Sequence, residues 1–408
     1  MMLPLKPSLR PLDFQPVFHQ GQRMWMLRDP LRLSPRQLFM PAELTPLLIL
    51  CDGTRTLPQI HQAFCDHLGF PVPFAIVSDT LRQFDEACLL QNERAQTARE
   101  RLLQQYRAQP FRPPALAGPG YPADPATLRT YFAAFAVADK AEDVGMPAWA
   151  GRGLISPHID YPRGGHVYAK TWARAAAAAR AADLVLILGT DHNGGQAITL
   201  TQKPYATPFG VLPTDTALIN ELAAAVGEDV AFADELHHRQ EHSVELSAVW
   251  LHYTLGDREP PPMIPILVGS FHHFVQNGGH PAQDARLNRF VAALQRLTAG
   301  KKVLAVASVD LAHMGPNFGD DFVMDEPRRA ALAESDGRLM AAIMAGDAAG
   351  FYGENAGIQD RHRICGFAPI YLLLRYLETT RGQQVAYQHC PADTEDNSLV
   401  SICGILLA

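Results

Sequence analysis

Apolar residues recur along this chain in two different rhythms. Over 44–50, 57–68 and 77–90 they return every three or four positions, which predicts three helices, with Asp52-Gly53-Thr54 as the turn between the first two. Ahead of them, 22–33 alternates weakly and predicts a hairpin. From Leu128 onward, short aliphatic runs at 184–188, 264–268 and 303–309 alternate with helical stretches at 168–182, 216–225, 286–298 and 330–345. Wholly apolar strands separated by helices predict an α/β domain whose mostly parallel central sheet is covered by helices on both faces. A charged helical segment at 95–106 and a stretch rich in proline and glycine at 110–125 lie between the two regions. The expected organisation is an α-rich winged-helix-like domain over 1–95, a helical and proline-rich linker over 96–113, and an α/β domain over 114–408.

Composition narrows the classes of function. With 408 residues, 47% hydrophobic and 19% charged, the chain can bury a sizeable core. A net charge of −7 argues against a nucleic-acid-binding face, which needs cations against phosphate, and against an anionic membrane surface for the same reason. No run approaches the ~20 apolar residues of a spanning helix, since 175–188 is broken by Arg180 and Asp183. The beginning of the chain lacks the apolar stretch of a secretory signal, so a cytoplasmic protein is expected. Six cysteines without C-x-x-C spacing point to free thiols rather than a zinc ribbon.

The candidate chemistry lies just beyond the predicted strands, where parallel sheets bind ligands. His158 follows Ser156-Pro157, and proline ends a strand because it cannot donate to the ladder. His192 follows the 184–189 run and precedes Asn193-Gly194-Gly195. Asp310-x-x-His313 follows the 303–309 run; Asp310 reads either as a site carboxylate or as a helix N-cap. Glu241, His242 and Glu245 fall within about one helical turn, so a histidine sits beside carboxylates as a proton carrier, whereas His237 and His238 read as exposed. Cys365, next to Arg363 and at the start of an apolar helix, is either a thiol of lowered pKa or a packed cysteine. His272, His273, His389 and Cys390 show no partner pattern and read as surface or packing residues.

The ordered segments resemble the Memo family, which includes component B of the AmmeMemoRadiSam system. The resemblance is carried by Tyr121-Pro122-Ala123-Asp124, Ser156-Pro157-His158-x-x-Tyr161, Gly189-x-x-His192 and Thr207-Pro208-Phe209-Gly210-Val211-Leu212-Pro213-Thr214-Asp215. It continues in Glu241-His242-Ser243-x-Glu245, Pro265-Ile266-Leu267-Val268-Gly269, Ser308-x-Asp310-Leu311-x-His313 and Cys365-Gly366-x-x-Pro369. It implies a fold similar to that of class III, LigB-type extradiol dioxygenases. It also implies a pocket holding iron or copper, rather than zinc, on His158, His192 and Cys365. Asp310 and His313 match further pocket residues, and His242 lines the same cleft. Asp160, Arg163 and Asp191 depart from the family pattern and put charge at a mouth shared with Tyr161, Glu241 and Glu245. The first ~95 residues, the size of a small domain, resemble a PqqD-type winged helix in helix layout and size.

Three functions are compatible with these residues. The first is a dioxygenase-like redox metalloenzyme with His313 or His242 as acid/base and Asp310 as a positioning carboxylate. It would act on a small molecule or peptide beside a radical-SAM partner. The second is a non-catalytic peptide- or protein-binding module, with Arg163 and the histidines gripping an anionic group. The third is a metal-dependent hydrolase with Glu241 or Glu245 as the base.

Overall fold

The structure is a computed structural model that describes residues 3–19, 21–136 and 149–408. It divides into two compact units, Met1–Gln109 and Pro110–Ala408.

In the first unit, strands Asp13–His19, Gln22–Arg28 and Leu38–Pro41 form an antiparallel sheet in chain order. The predicted hairpin at 22–33 is therefore one strand and a turn. Gln22–Arg28 pairs with the strand before it, Asp13 opposite Arg28. Asp29 closes the following turn by accepting from the Leu31 and Leu33 backbone N–H groups at 3.0 and 2.8 Å. Helices Leu57–Leu68 and Phe74–Glu86 follow, the first opened by a Thr56/Gln59 capping box and closed by Gly69 in the left-handed conformation. Ile60, Phe64, Val77, Leu81 and Phe84 pack with Leu27, Met40 and Leu47 into one core. The unit ends later than residue 95, because helix Glu93–Ala108 belongs to it. Asn92 caps that helix through the Ala95 N–H (3.1 Å) and also donates to Asp85 at 2.5 Å, and Arg94 pairs with the same carboxylate at 3.2 Å.

The second unit is a mixed α/β layer structure. The strands of its main sheet are β1 (Gly153–Ser156), β2 (Leu184–Thr190), β3 (Ile198–Leu200), β4 (Met263–Val268), β5 (Val303–Ser308), β6 (His313–Met314), β7 (Gly382–Pro391) and β8 (Leu399–Leu407). Among the described residues they form one eight-stranded sheet in the order β6-β8-β1-β5-β2-β4-β3, with β7 paired to β8. The central four, β1, β5, β2 and β4, are parallel; β3, β6, β7 and β8 are antiparallel additions at the two sides.

Side chains alternate between faces along each strand. Leu184, Leu186 and Leu188 of β2 enter one core, with helices Thr216–Val226, Ala285–Thr298 and Phe367–Leu377. Val185 and Ile187 enter the other, with helices Pro125–Ala136, Tyr161–Ala181 and His242–Leu255. Both faces are thus buried, which is why these strands read as unbroken apolar runs. Among the described residues no helix is long and apolar enough to cross a membrane.

The register places the candidate residues. Ser308 of β5 lies opposite both Ser156 of β1 and Gly189 of β2, so the three parallel strands end nearly level. His158, Asp310 and His192 leave the sheet just beyond that shared line.

Candidate metal centre

The strand ends bring His158, His192 and Cys365 together, with one ligand atom from each lying within 4.8 Å of the others. His158 is buried, and its Nδ1–H donates to the Ser308 carbonyl at 2.9 Å. That bond leaves Nε2 facing Cys365 Sγ at 3.2 Å. His192 is held in the same sense, its Nδ1–H donating to Glu241 Oε1 at 3.0 Å. Cys365 arrives from the turn before helix Phe367–Leu377. Its carbonyl accepts from Thr190 Oγ1 at 2.9 Å, and Gly366 N–H donates to the Asp310 carbonyl at 3.0 Å. A Cβ on Gly366 would lie 2.6 Å from that carbonyl, so the thiol can approach only with glycine after it. Two imidazoles fixed through Nδ1 and one sulfur form a donor set of the kind that holds a transition-metal ion.

Glu241 organises the second layer. Its buried carboxylate caps helix His242–Leu255, Oε1 accepting from the His242 and Ser243 N–H groups at 2.8 and 3.0 Å. Oε2 accepts from the His192 N–H at 3.0 Å, and His242 Nδ1 lies 3.1 Å from Oε1. The rings of His192 and His242 stack at 4.7 Å, and His158 meets both edge-on. Gly189 lets β2 come against this helix; a Cβ there would be 2.5 Å from Ser243 Oγ.

Asp310 is no helix cap, since β6 follows it. Its Oδ1 accepts from the His158 and Ile159 N–H groups at 2.9 and 3.1 Å, which fixes the loop that carries His158. Asp310, His313 and Cys365 also bring one ligand atom each within 4.8 Å of one another, as do His192, Glu241 and His242.

The local environment sets the protonation of these groups. Burial, reinforced by His192 and His242, holds His158 well below the ordinary imidazole pKa, so it is neutral and available as a ligand. Burial and then His192 bring His313 down to about 4. Burial lifts Asp310 to about 6 against the pull of its two backbone donors. Burial also opposes charge on Glu241 and His192, but their mutual attraction outweighs it, lowering the acid well below its usual range and raising the imidazole. The Cys365 thiol is raised by burial despite His192, as for a packed cysteine rather than for the thiol of lowered pKa that Arg363 beside it suggests. The Arg363 guanidinium is engaged elsewhere, with Asp320 at 2.5 and 3.1 Å and with the His313 carbonyl at 3.1 Å.

A cleft of about 1010 Å³ opens onto His192 and Cys365, lined also by Val268, Phe271, His272, Phe322 and the segment from Gln359 to Ile364. Several residues expected at its mouth lie elsewhere. Tyr161 is fully buried in an aromatic cluster with Tyr121, Phe132 and Trp250, its hydroxyl donating to the Leu246 carbonyl at 2.8 Å. Asp160 caps helix Tyr161–Ala181 and pairs with Arg163 at 2.5 Å. Glu245 is buried and fully engaged by Arg112, the Ala115 and Leu116 N–H groups and Tyr121 Oη. Asp191 borders the cleft but its carboxylate is buried against His237 Nδ1 at 2.7 Å.

His237 and His238 are buried rather than exposed, because the 3₁₀ turn Glu235–Arg239 folds them against Asp191, Tyr205 and the Thr199 carbonyl. Two further residues lie outside the sequence's candidate site, Arg112 unremarked and His272 read as a surface or packing residue. Arg112, in the presumed linker, is wholly buried, bonding Glu245 and the His238 and Glu241 carbonyls. His272 borders the cleft and bonds Asp360 across it at 2.9 Å. Neither carries a local periodic signal.

A family model described as Memo-like protein matches residues 112–406. A MEMO1 family protein of Aquifex aeolicus is 26% identical over 330 residues, 80% of each chain. Another from Methanosarcina barkeri is 26% identical over 307 residues, 73% of this chain and 100% of its own. A third, from Methanococcoides burtonii, is 29% identical over 267 residues, 65% of this chain and 86% of its own. With the family match spanning nearly the whole second unit, the chain belongs to the Memo family.

Proposed function

We propose that this protein is a metal-dependent redox enzyme that holds one iron or copper ion on His158 Nε2, His192 Nε2 and Cys365 Sγ. The observation that carries the reading is the convergence of these donors, two of which, His192 and Cys365, line a cleft large enough for a substrate. The bound ion would supply one-electron chemistry and Lewis acidity. The chain's own residues do the rest. Glu241 and the Ser308 carbonyl fix the tautomers of the two ligand imidazoles, and Asp310 holds the His158 loop. His313, neutral at pH 7, accepts a proton at the edge of the site, and His242 stands beside His192 as a second proton carrier. In this reading the fold is dioxygenase-like, and the protein works in the cytoplasm beside a radical-SAM enzyme.

The hydrolytic alternative lacks its base, since Glu245 is engaged by four donors and Glu241 by two imidazoles and their backbone. The binding-module alternative loses its grip residue, since Arg163 is paired with Asp160. Metal analysis of anaerobically purified protein tests the proposal. About one iron or copper per chain is expected, falling well below that in Cys365→Ser and in His192→Ala. A metal-free wild type that also fails to take up added iron(II) or copper(I) ends the reading.

A further inference from the structure

One wall of the cleft is held in a strained backbone state. Gln359, Asp360 and Arg363 all have positive φ, at 54°, 53° and 50°, in the left-handed region that non-glycine residues avoid. Asp360 maintains it, accepting from His272 Nδ1 (2.9 Å) across the cleft and from Asn355 Nδ2 (3.1 Å) behind. Strain of this kind persists where the surroundings over-determine it, commonly at ligand clamps. It presents Arg361 and His362 to the cleft. Arg361 is exposed, with Nε on the Ile358 carbonyl (3.0 Å) and no carboxylate partner among the described residues. His362 Nδ1 is buried without a hydrogen-bond partner among the described residues.

Each acid bordering the cleft already has a partner: Asp320 pairs with Arg363, and Asp360 and Asp191 are hydrogen-bonded to His272 and His237. The cation bordering the cleft without a carboxylate partner among the described residues is the Arg361 guanidinium. Deeper in, the lining is apolar, with Val268, Phe271, Ile364 and Phe367. One unmatched cation above an apolar trough is complementary to an amphipathic monoanion.

We propose that the cleft takes an apolar or aromatic molecule bearing one carboxylate, with Arg361 as the specificity-determining residue. The guanidinium grips the carboxylate in a two-pronged contact. The apolar body runs inward toward Cys365. This substrate class rests on the metal-centre reading for what lies at the floor, but not for the recognition itself.

The test compares binding of 3-phenylpropionate and 3-phenylpropan-1-ol to the full chain by calorimetry, with metal content and thermal unfolding measured on the same samples. The acid is expected to bind roughly ten-fold or more tightly than the alcohol, because the contact is charge-assisted. Arg361→Gln should bring the acid down to the affinity of the alcohol, while Arg361→Lys keeps most of the preference. Equal affinities, no acid binding at millimolar concentration, or a preference that survives in Arg361→Gln would each overturn the proposal. A protein that neither holds nor takes up iron or copper yet retains the acid preference would remove the metal-centre reading alone; a metal-replete protein indifferent to the carboxylate would remove this one alone.

Discussion

Replacing Glu241 by glutamine preserves its shape and removes its charge, and so tests the second layer of the centre directly. Wild-type Oε1 faces the His192 Nδ1–H, the His242 and Ser243 N–H groups and His242 Nδ1, and Oε2 faces the His192 N–H. An amide must turn its NH₂ toward one of these sets, where donor meets donor, and the remaining bonds lose charge assistance. Hydrogen bonds to a charged group are worth about 1.5–3 kcal/mol against about 0.5–1.5 kcal/mol for neutral ones. Loss of a carboxylate partner behind a ligand imidazole lowers metal affinity roughly 10–100-fold, or about 1.4–2.7 kcal/mol. The assay is anaerobic competition for iron(II) against a chelator, with the His192 tautomer read from its imidazole ¹⁵N shifts. Asp284→Ala is the control, because Asp284 likewise caps a helix through the Arg286 and Leu287 N–H groups but lies on helix Ala285–Thr298, away from the centre. It should lower stability by about 1 kcal/mol and leave affinity untouched. If Glu241→Gln binds iron within two-fold of wild type with its imidazole tautomer unchanged, the carboxylate does not position the ligand.

Two further outcomes follow from packing and burial. Gly189→Ala places a methyl group 2.5 Å from Ser243 Oγ and 2.8 Å from Val244 Cγ2, so β2 and helix His242–Leu255 must separate. A loss of about 1–3 kcal/mol in urea unfolding, together with weaker iron binding, is expected, and wild-type values in both would contradict the close approach. Asp336 is wholly buried, accepts from Tyr387 Oη at 2.7 Å, and is raised by burial to about 6. Its folded pKa exceeds the ordinary carboxylate value, so its contribution to stability is complete below that value and is lost as pH rises through about 6. Asp336→Asn, neutral throughout, should therefore gain about 2–3 kcal/mol relative to wild type between pH 4 and pH 7.5 in urea unfolding. A difference independent of pH would refute the burial argument.

The α/β architecture is legible in the linear chain because a strand buried on both faces must be apolar at every position. The 184–188, 264–268 and 303–309 runs meet that requirement, and an amphipathic helix must follow each strand to cover it. The position of His158, His192 and Asp310 beyond strand ends follows from the same reading, as does the break at Pro157. The first unit was less legible. Its hairpin was sought one strand too late, because a weak alternation looks the same on either side of a turn closed by the Asp29 side chain. Helix Glu93–Ala108 looked like a linker because most of its residues face solvent.

What joins residues far apart in the chain left no mark in any local pattern. Cys365 reads equally well as a packed cysteine until the register of β1, β5 and β2 and the bare Cα of Gly366 bring its sulfur to His158. Its protonation escapes local pattern for a related reason: desolvation is set by everything around the thiol, and Arg363, close in sequence, turns its charge to Asp320 instead. Tyr161 and Glu245 looked like cleft residues because they neighbour site residues in sequence, but the helix period turns both into the interior, where Leu246 and Arg112 satisfy them. Periodicity constrains which face a side chain occupies. Which partner it meets there depends on contacts across hundreds of residues, and those arise only when the strands have paired.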